Sequence, residues 1–263
     1  LLNDLLLHLV QANFDLNFEV FVLFSELFRL AGNEVGKYNH LTRYSSLGWD
    51  AYNVGFQEAQ QWVRDGIVDM ILPMLYFNGN NFYPFVLDWQ ENACGRHIIP
   101  GIGAYRLLPE YGGWEQQEIM RQLCTSRSAG VAGTAMFRSA HLTSCAYDIY
   151  TTIYRTPALV PPMDWYGTKP DAPCALSVNP VTAGVELCWE SVKGKDGEPA
   201  VRYNVYGATG DSIDVSNPEN LLAGMLDATS FVWYRSKSET LSFAVTAVDA
   251  YGVESEPVTA TYK

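Results

Sequence analysis

The apolar residues of this chain change period once, at a proline-rich stretch, and that change constrains the fold more than any other feature. Before it, segments at helical spacing alternate with short apolar runs of strand length. After it, apolar and polar residues alternate by twos. The stretch itself, Thr156 to Pro173, holds Pro157, Pro161, Pro162, Pro170 and Pro173 and reads as an extended linker. One chain therefore carries an α/β part and an all-β part.

The front part reads as follows. Leu1 to Ala12 has helical spacing, and Leu16 to Leu23 is a largely buried strand. Asp50 to Asp65 is an amphipathic helix with Tyr52, Phe56, Ala59 and Val63 on one face, stopped at Gly66. Val68 to Phe77, Ile98 to Tyr105 and Val131 to Phe137 are apolar strands. Phe82 to Ala93, Trp114 to Ser126 and Ser144 to Tyr154 are helices. Strands apolar throughout are covered on both faces, and repeated βα units predict a doubly wound sheet or a (β/α)8 barrel. Gly101-Ile102-Gly103 is only a fragment of a dinucleotide fingerprint and lies inside a strand.

Behind the linker, short alternating segments run Ala175 to Val178, Val185 to Trp189, Arg202 to Tyr206, Ser230 to Tyr234, Leu241 to Asp249 and Val258 to Tyr262. This spacing predicts a small antiparallel sandwich.

Composition narrows the function classes. The formal charge is −12, and a split at residue 165 leaves 10 basic against 16 acidic residues before it and 7 against 13 after it. Both parts are acidic, which argues against an electrostatic nucleic-acid binder. Cys94, Cys124, Cys145, Cys174 and Cys188 show no CxxC spacing. Four scattered histidines give no HxH or HExxH pattern, so neither a metal nor any other cofactor is expected. A Cys174–Cys188 pair is conceivable, but the alternation around Cys188 favours an intact thiol. The longest apolar-looking stretch, Phe18 to Leu30, is broken by Glu19, Glu26 and Arg29, so no membrane-spanning segment is expected. The chain opens on Leu1, which reads as a cut.

Two strings of motifs carry a resemblance. One is Gly36-Lys37-Tyr38 with Leu41-Thr42-Arg43-Tyr44-Ser45-Ser46 and Gly48-Trp49-Asp50-Ala51-Tyr52. The other is Trp62-Val63-Arg64-Asp65-Gly66, Leu72-Pro73-Met74-Leu75-Tyr76-Phe77 and Phe82-Tyr83-Pro84-Phe85-Val86-Leu87-Asp88-Trp89-Gln90. With Pro100-Gly101-Ile102-Gly103, Ala135-Met136-Phe137-Arg138 and Thr156 to Met163, they resemble the bacterial glycosyl-hydrolase-like family ten. Residues from Cys174 on resemble a fibronectin type III domain, with Trp189 and Tyr203 as its core aromatics and Leu241 where a corner tyrosine usually stands.

The resemblance implies the C-terminal half of a (β/α)8 TIM-type barrel followed by a fibronectin type III-like β-sandwich. The implied boundaries are 1–160 for the partial barrel, 161–173 for the linker and 174–263 for the sandwich. It implies a glycoside hydrolase of the bacterial cell envelope, outside the cytoplasm and lipid-anchored in the intact parent. Peptidoglycan or a related polysaccharide is the implied substrate. This chain would carry the substrate-holding half and be inactive in isolation. Residues 1–35 depart from the family pattern. A half-barrel also exposes two sheet edges, which predicts self-association or poor folding of the front part alone.

Glycoside hydrolysis uses two carboxyl groups. In a barrel they would stand at the C-terminal ends of strands. Those ends offer Tyr76, Phe77 and Asn78, then Tyr105 and Arg106, then Phe137 and Arg138; the first turn offers Lys37 and Tyr38. None is a carboxylate. Glu110, on the loop after the third strand, is the best acidic candidate, although solvation or capping explains it as well. Asp69 and Asp88 read as structural. The expected substrate-binding set is Lys37, Tyr38, Tyr76, Asn78, Tyr105, Arg106 and Arg138. The alternative reading is a carbohydrate-binding or adhesion module without catalysis.

Overall fold

The computed structural model describes residues 56–142, 145–182, 184–194, 201–234 and 240–262. The expected helix Leu1 to Ala12, the strand Leu16 to Leu23, and Lys37 and Tyr38 lie outside the described residues. The chain divides into two compact units, one ending at Ile153 and the other beginning at Tyr154.

In the first unit, helix α1 (Ala59–Arg64) leads to strand β1 (Met70–Ile71). Helix α2 (Tyr83–Glu91), strands β2 (His97–Ile98) and β3 (Gly101–Ile102), helix α3 (Gln116–Ser128), strand β4 (Ala135–Met136) and helix α4 (Ala146–Thr152) follow. Strand β1 pairs in parallel with β2, and β3 in parallel with β4. Each pairing is only two residues long because prolines interrupt it. Pro73 and Pro100 have no N–H to give to a ladder and serve only as acceptors. The Gly101 amide donates to the Pro73 carbonyl at 2.7 Å, and the Ala135 amide to the Pro100 carbonyl at 3.0 Å.

The expectation of half a (β/α)8 barrel with a sandwich behind it is corrected by these pairings. The described residues form four small sheets of two to four strands each with few helices, and no barrel is seen among them. The apolar runs that read as long strands are mostly irregular backbone, buried for their side chains and not for a continuous ladder. The reason for self-association through open barrel edges falls with the barrel.

Two apolar clusters hold this unit. Leu75, Phe82, Phe85, Val86, Ile102, Ile119 and Leu123 form one, and Val63, Ile71, Trp89 and Ile98 belong to the other. Asp88, read as structural, is buried on α2. Its carboxylate accepts from Gln60 Nε2 at 3.0 Å and from Asn92 Nδ2 at 3.2 Å, so its polar oxygens are satisfied inside an apolar setting.

The second unit consists of β5 (Cys174–Val181), β6 (Gly184–Glu190), β7 (Arg202–Thr209), β8 (Leu221–Leu226), β9 (Ser230–Trp233), β10 (Leu241–Val248) and β11 (Val258–Tyr262). One antiparallel sheet has the order β5-β6-β9 and the other β11-β10-β7-β8. A single apolar cluster draws Val185, Leu187 and Trp189 from the first sheet and Tyr203, Val205, Phe243 and Val245 from the second. Trp189 meets Tyr203 edge-on at 5.4 Å, and the Val192 amide donates to the Tyr203 hydroxyl. Leu241 is buried in the same cluster. All five cysteines are free thiols; Cys174 donates to Glu190 and does not pair with Cys188. Among the described residues no helix is long and apolar enough to cross a membrane.

Candidate functional site

Three segments of the first unit bring aromatic rings together. Tyr76 follows β1, Tyr105 lies in the 3-10 turn Ala104–Leu107 after β3, and Phe137 follows β4. The backbone sets this convergence. The Phe137 amide donates to the Ile102 carbonyl at 2.8 Å, and the Tyr105 amide donates back to the Phe137 carbonyl at 3.1 Å. Tyr76 can come this close because two glycines make room. A Cβ at Gly103 would stand 3.1 Å from Tyr76 Cβ and 3.2 Å from its Cα, and one at Gly101 would stand 3.1 Å from the Tyr76 ring.

The rings form a continuous rim. Tyr76 and Phe137 stack at 5.3 Å, 23° apart, and Tyr105 stands edge-on to both at 5.9 and 6.0 Å. Tyr111, in the turn Pro109–Tyr111, extends the rim against Tyr105 at 5.5 Å. These spacings match the edge-to-face and offset geometries that the aromatic quadrupole favours. Phe137 is 43% exposed and Tyr111 49%, so large apolar faces stay open to solvent here.

Arg106 braces this rim. Its Nε donates to the Tyr76 carbonyl at 3.3 Å and its Nη1 to the Tyr111 carbonyl at 3.2 Å, while the guanidinium sits 5.1 Å from the Tyr105 ring centre. The planar fork spans two backbone acceptors that a lysine's single ammonium would not reach together. Arg106 belongs to the expected substrate-binding set, and two of its five N–H donors serve backbone here. Arg138 and Asn78 are exposed on the same segments, and Glu110 is exposed beside Tyr111. The structure therefore brings together Tyr76, Tyr105 and Arg106 of the expected set, leaves Asn78 and Arg138 at the surface of adjoining segments, and does not describe Lys37 or Tyr38.

Two supports escaped the sequence reading. Tyr111 lies in a loop between Pro109 and Gly112, where no periodic pattern singles it out. Gln122 is fully buried on α3, and its Nε2 donates to the Phe77 carbonyl at 2.9 Å and to Glu118 at 2.9 Å. Glu118 also accepts from the Tyr83 hydroxyl at 2.9 Å. The signal was present: Gln122 falls on the apolar face of α3 with Ile119, Leu123 and Ser126. A buried amide on such a face must bond to something. Burial and the Glu118 carboxylate push the Tyr83 hydroxyl up to about 12. Among the described residues no group of three or more His, Cys, Asp or Glu side chains is placed to hold a metal ion.

The arrangement is an aromatic face, fixed from behind by backbone hydrogen bonds and bordered by exposed polar side chains. The chain is 29% identical over 136 residues to the glycosyl hydrolase YngK of Bacillus subtilis (strain 168), a match covering 46% of this chain and 27% of YngK. It thus spans about a quarter of the length of that relative. Among solved structures, the glycoside hydrolase domain of Endo-D from Streptococcus pneumoniae R6 is 28% identical, with 36% of this chain and 15% of that chain covered and a TM-score of 0.26. The spore cortex lytic enzyme SleM of Clostridium perfringens is 13% identical, with 82% and 86% covered and a TM-score of 0.28. Superpositions this loose define no shared fold. No protein-family model matches the chain. The chain has a distant glycoside hydrolase-like relationship; membership of family ten and a fibronectin type III domain are not shown.

Proposed function

We propose that this chain is part of a glycoside hydrolase and that the Tyr76–Tyr105–Phe137 rim holds a glycan strand. The observation that carries the reading is the exposed, braced aromatic face. Sugar rings present flat C–H surfaces, and ordered aromatic faces cover them with little loss of side-chain freedom. The distant relationship to a protein named glycosyl hydrolase supports the same chemistry. The substrate class in this proposal is peptidoglycan or a related polysaccharide, and the working place is the bacterial envelope outside the cytoplasm, in line with the family-ten resemblance. Asn78 and Arg138 would hydrogen-bond hydroxyl or carboxylate groups at the edge of the rim; Lys37 and Tyr38, proposed for the same task, lie outside the described residues. Glu110 is the acidic candidate. A second carboxylate would come from elsewhere in the parent protein.

A second reading, binding without cleavage, is favoured by one specific observation. The segment ends that build the rim, Tyr76 to Asn78, Tyr105 to Arg106 and Phe137 to Arg138, contain no carboxylate. One experiment separates the two. The full chain and the intact parent are each incubated with insoluble peptidoglycan and with purified soluble glycan strands. Retention of both proteins together with new reducing ends from the parent supports the hydrolase. Retention without new ends from either supports the binding module, and no retention of the folded chain overturns the glycan reading altogether.

A further inference from the structure

The second unit contains a cleft of about 310 Å³ that plays no part in the rim chemistry. Leu159 and Val160, from the segment ahead of β5, line it with Met225 and Val253. Leu159 is 37% and Val160 52% exposed, so apolar walls stand open to water. Beneath them lie two polar groups that the fold fixes firmly.

The first is Asn204 on β7, which is almost wholly buried. Its Oδ1 accepts from the Met225 amide at 2.9 Å, and its Nδ2 donates to Glu254. The second is Glu254, which is half-buried and lines the cleft. Three donors converge on one of its oxygens, Oε1: Tyr206 Oη at 2.7 Å, Thr246 Oγ1 at 3.0 Å, and Asn204 Nδ2. Oε2 accepts none of these bonds. Burial and the Glu254 hydrogen bond push the Tyr206 hydroxyl up, which keeps it a donor to Oε1. A carboxylate clamped by one oxygen presents the other in a fixed direction, so a ligand that meets it loses little to reorganisation.

Three charged side chains line the cleft, two acidic (Asp164, Glu254) and one basic (Lys169). Asp164, exposed, lines it as well. Lys169 is also at the cleft, but its ammonium is already paired with Glu256. Among the described residues neither Glu254 nor Asp164 is ion-paired, and the three charged lining residues leave the cleft acidic by one charge. Apolar walls over an oriented carboxylate, with a second carboxylate at the surface, fit an alkyl stem that carries a cationic head.

We propose that this cleft is a binding site for a primary ammonium group on a short alkyl stem, with Glu254 Oε2 receiving the ammonium and Leu159, Val160 and Met225 covering the stem. The proposal is independent of the glycan reading of the first unit. The test uses the full 263-residue chain, n-butylammonium as probe and n-butanol as its neutral counterpart, followed by backbone amide NMR. The expected result is saturable shifts at the Met225 and Val253 amides with n-butylammonium, and at least fivefold weaker binding of n-butanol. Glu254→Gln keeps an acceptor for the three donors and should weaken the ammonium at least fivefold. Asp164→Asn, which alters an exposed side chain, should weaken it about twofold and serves if Glu254→Gln does not fold. Equal binding of alcohol and amine, absence of saturable shifts, or unchanged amine affinity in a folded Glu254→Gln or in Asp164→Asn overturns the proposal.

Discussion

Gly103 decides whether the aromatic rim exists. Its missing side chain lets the backbone of Tyr76 lie where a Cβ would press at 3.1–3.2 Å, and backbone gives way less easily than a side-chain tip. Gly103→Ala is expected to destabilise the protein by about 1–3 kcal/mol, as overpacking does. Urea melts measure the loss, and a weaker near-ultraviolet circular dichroism signal reports the displaced tyrosines. Behind the rim, Tyr83 offers a second check. Its hydroxyl is raised to about 12 in the folded protein from an ordinary value of 10.0. The folded state therefore holds this proton more tightly than the unfolded one. The associated stability is present below pH 10 and drains away as pH rises from about 10 to about 12. In Tyr83→Phe that part of the alkaline fall in stability should vanish, as should one late phenolate in a 295 nm absorbance titration. An unchanged titration would contradict the Tyr83–Glu118 bond.

The elements were readable from sequence to very different degrees. In the second unit, period-two alternation located six of the seven strands, and Val258–Tyr262 has the bounds that the pattern gives. The missed strand, β8, reads Leu-Leu-Ala-Gly-Met-Leu, in which apolar residues run together and no alternation is visible. In the first unit, helices α2 and α3 fall within two residues of their expected ends, because a helix announces itself by an amphipathic period. The strands failed. An apolar run such as Val68 to Phe77 states that side chains are buried, and it says nothing about whether a ladder forms alongside. Pro73 and Pro100 were in plain view, and their missing donors limit the pairing to two residues at a time. Strand β10 shows the opposite case. All eight residues are buried, with partners on both sides, and Phe243 is a fully buried member of the shared cluster. Phe243→Ala is expected to destabilise the second unit by about 3–5 kcal/mol, the usual range for truncating a buried aromatic residue. A thermal or denaturant melt followed by Trp189 and Trp233 fluorescence gives the value, and a loss under about 1 kcal/mol would show that the two sheets do not share this core.

For the molecule as a whole, sequence patterning indicates two differently built parts on either side of residues 161–173; the chain divides into its two compact units between Ile153 and Tyr154. Of the candidate site, Tyr76, Tyr105 and Phe137 were readable because each is the last or next-to-last residue of a strand-like run. Arg106 was readable as a residue of the site but not as its brace, and Gln122 not at all, because both act through backbone carbonyls and sequence does not show which carbonyl a side chain reaches. The formal charge of −12 disfavours polyanions in general, so attraction to a glycan must come from stacking and directed hydrogen bonds. That dependence makes the rim testable in one titration. Calorimetry of the full chain against a soluble peptidoglycan oligosaccharide should show saturable binding, and replacing Tyr76 and Phe137 together by alanine should weaken it by roughly 5- to 150-fold, at about 0.5–1.5 kcal/mol for each ring. Equal affinity in the folded double variant would contradict the account.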